Sequence, residues 1–244
     1  MIGRRGDPGD RLCVAVDLEG YSRRSDAGQE RAQEALAGLL DAAWRAARTE
    51  ALRQPNGDGE VALLGPAAEP GAVVAMLQAL GAGLEALNRS TPRERLRLRA
   101  AAHRGPGRPA RNGFAGSGVV RTCRLLGSRA LRAELVRRPG TDLAVALSDP
   151  LFTELSGVLP VQDFRRVLVL EPAKVFSGHA WLHTGGPLPA LLDAAGSAGV
   201  RPEEPDVPDM RIEIADGGQA GSVVQARELH GGLTIGLPDR RGDR

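Results

Sequence analysis

Two aspartates at the ends of predicted strands are the residues of this sequence best suited to chemistry. Asp17 follows the apolar run Cys13-Val14-Ala15-Val16, and Asp58 lies just before the run Val61-Ala62-Leu63-Leu64. Such runs predict buried strands that bring both carboxylates to the edge of a sheet. Two facing carboxylates are suited to a pair of divalent cations, which in-line phosphoryl transfer uses. The alternative is that both aspartates only form turns.

The elements that must position these aspartates alternate between strands and helices. Apolar residues at helical spacing predict helices over 26–48, 71–88 and 117–137, and Asp26 with Gln29 has capping-box spacing. Besides the strand of Asp17, strands are predicted at 59–64, 96–103, 142–147, 163–170 and 180–183, with a long turn or hairpin tip over 104–112. This order predicts an α/β or α+β sandwich built on one sheet.

Composition argues against several functional classes. The net charge is only +2, acidic and basic residues are interspersed, and aromatic residues make up 3% of the chain, so we expect no nucleic-acid partner. Residues 1–10 lack a signal-peptide core and no apolar run approaches a membrane span, so we expect a cytoplasmic protein without a membrane partner. Cys13 and Cys123 lie in apolar segments and are expected to be buried thiols. Lys174 is the only lysine, which suggests a GC-rich bacterial genome.

The composition divides the chain into five parts. Residues 1–10 are expected to be disordered, and residues 11–184 to form the main domain. Prolines and acidic residues make 185–209 a predicted flexible linker. Residues 210–236 contain three short β-type runs separated by glycines, and 237–244 form a tail. A segment as small as 210–236 cannot bury a core of its own.

The order of several motifs resembles the catalytic domain of class III adenylyl and guanylyl cyclases. The motifs are Val-Asp-Leu-Glu-Gly-Tyr-Ser at 16–22, Gly-Asp at 57–58, a strand ending in His103, and Gly-x-x-Val-Val-x-x-Cys-Arg-Leu at 116–125. The resemblance covers roughly residues 10–184. It implies an α+β, ferredoxin-like sandwich with one mainly antiparallel sheet, and an active site that forms between two protomers of a homodimer.

The resemblance also assigns roles to individual residues. It makes Asp17 and Asp58 ligands of two Mg²⁺ or Mn²⁺ ions, with the Leu18 backbone carbonyl as an additional ligand. It makes Arg124 the arginine that stabilises charge on the α-phosphate of a nucleoside triphosphate. The alternative for Arg124 is a surface arginine on a helix. His103 and His183 receive no role and are expected to be polar residues at strand ends.

Three departures from the family pattern affect these assignments. The family's ribose-orienting asparagine is Val120 in this sequence. The base-selecting pair falls on Gln54 and Gly113, from which neither a purine nor a pyrimidine preference follows. Lys174 is a loosely aligned counterpart of the family's triphosphate-binding lysine.

The segment 210–236 resembles the amyloid signalling motifs of bacterial effector proteins, which are similar to the RIP homotypic interaction motif. Such motifs stack in register, with Gln225 forming an amide ladder and Val223, Val224 and Leu229 a dry zipper. A receptor that carries the same motif would then template this segment. The alternatives are an edge hairpin and a disordered end.

Two functions of different classes follow from these observations. The first is an enzyme that converts a nucleoside triphosphate to a cyclic nucleotide and pyrophosphate, recruited through the C-terminal motif. The second is a catalytically degenerate nucleotide-binding or scaffold module that acts through assembly of the tail. Retention of Asp17, Asp58 and Arg124 favours the enzyme, whereas Val120 favours the module.

Overall fold

A seven-stranded sheet is the centre of the fold. The computed structural model describes residues 9–171 and 176–183. The sheet has the strand order β2-β3-β1-β4-β7-β9-β8, and a separate hairpin, β5-β6, follows β4 in the chain. The strands are β1 (Asp10–Leu18), β2 (Ala51–Pro55), β3 (Gly59–Leu64), β4 (Leu98–Pro106), β5 (Arg108–Ala110), β6 (Gly113–Ala115), β7 (Leu143–Ser148), β8 (Phe164–Glu171) and β9 (Phe176–His183).

All pairs in this sheet are antiparallel except the pair of β4 with β7. The mixed α+β class with a mainly antiparallel sheet is therefore confirmed. The register places Asp17 on β1 opposite Gly59 on one side and Arg99 on the other. The two strands that flank β1 thus bring the surroundings of Asp17 together from distant parts of the chain.

In the described part of the chain, five α-helices cover the two faces of the sheet. They are α1 (Asp26–Ala47), α2 (Pro70–Ser90), α3 (Ser117–Leu126), α4 (Arg129–Arg137) and α5 (Asp149–Leu155). Buried side chains of α1, α2 and α5 pack with those of β1, β4 and β7 in the main core. The opposite face carries a smaller core, in which α3 and α4 pack on β4, β7, β8 and β9. Alternate residues of the central strands serve the two cores, because successive side chains point to opposite faces.

The predicted helix over 117–137 is wrong in one respect, because two helices occupy that range. The chain leaves α3 at Gly127, and the Ser128 side chain accepts a hydrogen bond from the backbone N–H of Leu131 to begin α4. Ser25 caps α1 in the same way through Gly28, so Asp26 is the first helical residue rather than the cap. Two other features are absent from the sequence-based prediction: strand β2 and the short helix α5. Of the two alternatives for 104–112, the structure shows a hairpin, formed by β5 and β6.

Helix α2 is long and apolar enough to cross a membrane by length and composition, which corrects the expectation that no run approaches a span. Its buried apolar residues, from Val73 to Leu84, pack with α1 and the sheet in the main core. A core helix of a folded domain has the same character.

The two cysteines differ in their surroundings. Cys13 is buried, and burial raises the pKa of its thiol to about 12. Cys123 is exposed, contrary to the expectation of two buried thiols, and neither cysteine forms a disulfide. A thiol with so high a pKa is not reactive near neutral pH, because the thiolate is the nucleophile.

Candidate functional site

Asp17 forms a two-point ion pair with Arg99. The Arg99 Nε donates to Asp17 Oδ1 at 2.9 Å, and its Nη2 donates to Oδ2 at 2.7 Å. Only 13% of the Arg99 side chain and 22% of the Asp17 side chain are exposed. Hydrogen bonds between two charged groups in this parallel geometry are among the strongest in proteins. Both oxygens of the best candidate metal ligand are therefore engaged by a cation of the same chain.

The surroundings of Asp17 shift its pKa in opposite directions. Burial raises the pKa of Asp17 above its ordinary value, and the charge of Asp58 raises it further. Arg99 and the charge of Arg132 on α4 oppose this rise. The geometry with Arg99 requires the ionised carboxylate, since both of its oxygens accept from a guanidinium. A carboxylate so placed depends on a nearby cation to remain charged.

Asp58 lies at the same edge of the sheet as Asp17. It belongs to the turn between β2 and β3, where Gly57 has a positive φ of 85°. Its backbone carbonyl accepts from the N–H of Leu18 at 2.8 Å, which fixes the turn beside the end of β1. The Leu18 side chain is buried, so only its backbone faces this edge. The structure therefore brings together the three positions predicted to hold metal ions.

These three positions do not fit a pair of metal ions in the observed conformation. Over residues 9–171 and 176–183, no group of three or more His, Cys, Asp or Glu side chains could hold a metal ion. A divalent cation of the Mg²⁺ type requires carboxylate oxygens that are free to coordinate it. Each Asp17 oxygen accepts one hydrogen bond from Arg99, so a metal ion there would have to share the carboxylate with the positive charge of the guanidinium.

The two positions predicted to select the base lie against each other. Gly113 begins β6 with a φ of 96°, and a Cβ built there would lie 2.2 Å from Oε1 of Gln54 on β2. The Gln54 amide therefore covers the Gly113 backbone. An amide offers both a donor and an acceptor, so this pair could hydrogen-bond to any base edge.

Arg124 is directed away from Asp17 in its own chain. Its guanidinium lies over the ring of Phe176 on β9, 5.8 Å from the ring centre, and that of Arg121 lies 5.7 Å from the same centre. Strand β9 is separated from β1 by β4 and β7. Val120, one turn before Arg124, is 47% exposed. Within one chain, Arg124 and the carboxylates thus do not form a single site.

The remaining predicted site residues lie outside the described part of the chain. They are Lys174 and the assembly-motif residues Val223, Val224, Gln225 and Leu229. The predicted linker 185–209 and the segments 210–236 and 237–244 lie outside it as well.

Solved structures with the same fold are nucleotide cyclases. The adenylate/guanylate cyclase/hydrolase from Silicibacter pomeroyi matches with a TM-score of 0.55 and 17% identity, over 72% of this chain and 97% of that one. The guanylyl cyclase Cya2 gives 0.53 and 13%, over 75% and 97%. The adenylyl cyclase CyaB from P. aeruginosa gives 0.50 and 10%, over 78% and 97%. The chain has the cyclase fold.

The sequence itself is divergent from these proteins. No protein-family model matches it, and no curated protein matches it either. At identities of 10–17%, the likeness establishes the architecture and leaves the chemistry to be argued from the residues. The structure agrees with the fold that the motif order implied.

Arg99 is the site residue that the sequence analysis missed. The signal for it is the alternation Leu96-Arg97-Leu98-Arg99, which leads into β4 and places both arginines on one face. Arg97 holds Glu19 at 2.8 Å and donates to backbone carbonyls after α4, including that of Arg138. Arg97 and Arg99, at the start of β4, thus connect the end of β1 to β4, and Arg97 also connects it to the segment after α4.

The buried His103 makes the stability of the folded domain depend on pH. Its Nδ1 lies 2.8 Å from the Ser148 Oγ in a buried pair, and burial, assisted by the charge of Arg121, lowers its pKa to about 4. The unfolded chain takes up this proton near pH 6.5, so the free energy of unfolding falls as the pH drops from 6.5 towards 4. We expect a loss on the order of 1–2 kcal/mol between pH 7 and pH 5 from this residue.

Urea unfolding of the wild type and of His103→Gln at both pH values measures this effect. The variant should lose less stability on acidification than the wild type. Equal losses would mean that His103 is protonated in the folded state at pH 5. His183, whose pKa burial also lowers, is unchanged in both proteins and cancels in the comparison.

Proposed function

We propose that this chain is a cyclase-fold signalling module that binds a nucleoside triphosphate without converting it to a cyclic product. The observation that carries the proposal is the ion pair of Arg99 with Asp17, which engages both carboxylate oxygens. Opening that pair without replacing both interactions leaves partly buried charges unpaired, which is costly. The charge of Arg99 therefore disfavours a metal ion at Asp17 in the resting site.

Nucleotide binding is supported by the cations and the amide at this edge of the sheet. Beyond the two nitrogens that donate to Asp17, the Arg99 guanidinium has a third, Nη1, which can donate to a phosphate while the ion pair is kept. Arg132 adds a second positive charge that acts on the same carboxylate. Gln54, whose amide lies over Gly113, offers a donor and an acceptor for a base. A nucleoside triphosphate would thus have hydrogen-bond donors available for its phosphates and for its base.

Absence of turnover is supported by the residue at position 120. An exposed valine there supplies no hydrogen-bond donor for a ribose, whereas the resemblance implies an asparagine. Loss of one donor that stabilises a transition state typically costs about a hundredfold or more in rate. Together with the engaged Asp17 carboxylate, this favours binding over catalysis.

The second candidate function is formation of a cyclic nucleotide and pyrophosphate on two Mg²⁺ or Mn²⁺ ions. Two observations favour it: Asp17 and Asp58 lie at one edge of the sheet, and the neighbours in fold are named as cyclases. It requires the Arg99 side chain to leave Asp17. It also requires a homodimer, since Arg124 lies on Phe176 in its own chain and would have to act on the partner's nucleotide.

Titration calorimetry with the Mg²⁺ salts of ATP, GTP, CTP and UTP tests nucleotide binding. We expect Arg99→Gln to weaken binding roughly tenfold or more, because one charged donor beside the phosphates is lost. The matched control is Arg104→Gln on the same strand, since Arg104 pairs with Glu154 instead. If both variants bind the nucleotide as tightly as the wild type, Arg99 is not part of a nucleotide site.

The proposed setting of this module is the cytoplasm of a bacterium, where the segment 210–236 recruits it to a receptor with a matching motif. Residues 185–209 would serve as the tether. We expect a peptide of residues 210–236 to form thioflavin-positive fibres, because β-prone segments of low net charge stack in register. The same peptide with Gln225→Lys and Val224→Lys should stay soluble. A wild-type peptide that remains monomeric at high concentration would remove this part of the proposal.

A further inference from the structure

A cavity of about 300 Å³ lies between the start of α1 and the C-terminal end of α2. Its walls come from α1, from the end of α2 and from the segment 91–96 that leads into β4. None of the positions Asp17, Asp58, Gln54 or Gly113 lines it. It is thus a separate feature from the candidate nucleotide site, and its volume is at the lower end of small-ligand pockets.

The charged side chains of this cavity have an excess of positive charge. Three arginines line it, Arg24, Arg31 and Arg93, against a single carboxylate, Glu94. Glu94 is engaged by Arg31, whose Nη2 lies 2.8 Å from Glu94 Oε1. No ion pair is found for Arg24 or Arg93 within residues 9–171 and 176–183. Two positive charges therefore face this space without a carboxylate.

Arg24 has a donor that the described residues leave unused. Its Nη2 donates to the backbone carbonyl of Arg95 at 3.0 Å, which fixes the guanidinium in the wall of the cavity. Its Nε is buried and has no hydrogen-bond partner among the described residues. A buried donor of a charged group without an acceptor costs free energy, so such a group is normally satisfied by a ligand or by water.

The hydroxyl groups of the cavity are already used by the helix ends. The Ser25 Oγ accepts from the N–H of Gly28, and the Thr91 Oγ1 donates to the carbonyl of Leu87. The remaining lining is apolar, and Ala32 and Leu96 are almost completely buried. The cavity thus combines arginine donors at its wall with an apolar floor.

We propose that this cavity binds a small amphipathic anion, with a phosphate or carboxylate held by Arg24 and Arg93 and a short apolar body over Ala32 and Leu96. The anion accepts hydrogen bonds from the guanidinium groups of Arg24 and Arg93 and neutralises the excess charge. The apolar body replaces water on the floor of the cavity, which adds affinity. This site is independent of the proposed nucleotide site.

Phenyl phosphate is the probe, titrated into the full chain and followed by NMR, with benzoate as the carboxylate counterpart. Phenol and inorganic phosphate test the two halves of the probe separately. We expect phenyl phosphate to bind with a Kd below about 1 mM and to bind more tightly than either half. Binding of benzoate as well assigns a general anion site, and its absence narrows the site to phosphates; both results support the proposal.

Arg93→Gln should weaken binding of phenyl phosphate about tenfold, because one charged donor is lost. Arg93 is exposed and has no ion pair within the described residues, so this variant is expected to fold, which circular dichroism checks. The matched control is Arg89→Gln, an exposed arginine at the end of α2 that pairs with Glu85. Arg99→Gln is the second control, and binding must persist in it.

Three results would overturn the proposal. The first is no saturable binding of phenyl phosphate or benzoate up to millimolar concentrations. The second is binding of phenol as tight as that of phenyl phosphate, because the anion would then contribute nothing. The third is an unexpected response of the variants: either equal affinity for phenyl phosphate in the wild type and in Arg93→Gln, or loss of binding in Arg99→Gln. Loss of binding in Arg99→Gln would assign the probe to the nucleotide site instead.

Discussion

Replacing Arg99 with alanine is expected to destabilise the protein by about 2 kcal/mol and to make its stability depend on Mn²⁺. The variant leaves the Asp17 carboxylate, with 22% of its side chain exposed, without its two donors. Asp58 then raises the negative charge around Asp17, and of the two arginines that act on Asp17 only Arg132 remains. A pair of carboxylates in that state is a site for a divalent cation.

Thermal unfolding with and without 5 mM Mn²⁺ measures both effects. The loss of stability corresponds to a decrease in Tm of roughly 4–8 °C for a domain of this size. Mn²⁺ should recover much of the decrease in Arg99→Ala and should leave the wild type unchanged, because Arg99 already compensates the Asp17 charge.

The control is the double variant Arg99→Ala with Asp17→Asn. Asparagine removes the unpaired charge, so the double variant should be more stable than Arg99→Ala alone and should not respond to Mn²⁺. A wild type that Mn²⁺ stabilises as much as it stabilises Arg99→Ala would show that the ion pair does not exclude the metal.

Replacing Gly116 with alanine is expected to cost about 3 kcal/mol or more of stability. Gly116 precedes α3 with a φ of 135°, and a Cβ there would lie 2.2 Å from the carbonyl oxygen of Pro106. A contact that short with backbone cannot be relieved by a side-chain rotation. The end of β4 and the start of α3 must then move apart.

Urea unfolding of Gly116→Ala and of Gly140→Ala measures the difference between a crowded and an open position. Gly140 is exposed, and a Cβ there would have no atom within 4 Å. The Gly140 variant should match the wild type to within about 0.5 kcal/mol. Equal stabilities of the two variants would contradict the close packing of α3 against the end of β4.

The sequence was sufficient to place both aspartates because local patterns determine where they lie. The apolar run before Asp17 predicts a buried strand, and β1 is buried from Leu12 to Val16. The glycine-rich turn at 57 marks the end of the β2-β3 hairpin beside it. The strand predicted at 59–64 matches β3 in both bounds. Such features follow from residue spacing and turn chemistry alone.

The partner of Asp17 was not predictable in this way, because it depends on strand register. Arg99 is 82 residues away in the chain and faces Asp17 only because β1 and β4 pair with Asp17 opposite Arg99. A shift of one residue in that register would turn Arg99 to the other face. Register between distant strands is set by the whole core, which a single sequence does not display.

The missed elements are short and have weak periodicity. Helix α5 has seven residues with a proline in its first turn, and strand β2 contains charged and polar residues with intermediate burial. The break between α3 and α4 rests on one glycine and one serine within an otherwise continuous helical pattern. In each case tertiary packing determines the structure, because local propensity favours no single conformation.

The most direct test of the proposed function is incubation of the purified full chain with Mn²⁺ and each of ATP, GTP, CTP and UTP. Mass spectrometry then follows cyclic products against an Asp17→Ala control, at protein concentrations high enough to favour dimers. The account predicts that each nucleotide is recovered without a cyclic product. A cyclic nucleotide that forms with the wild type and disappears with Asp17→Ala would contradict it and establish a cyclase.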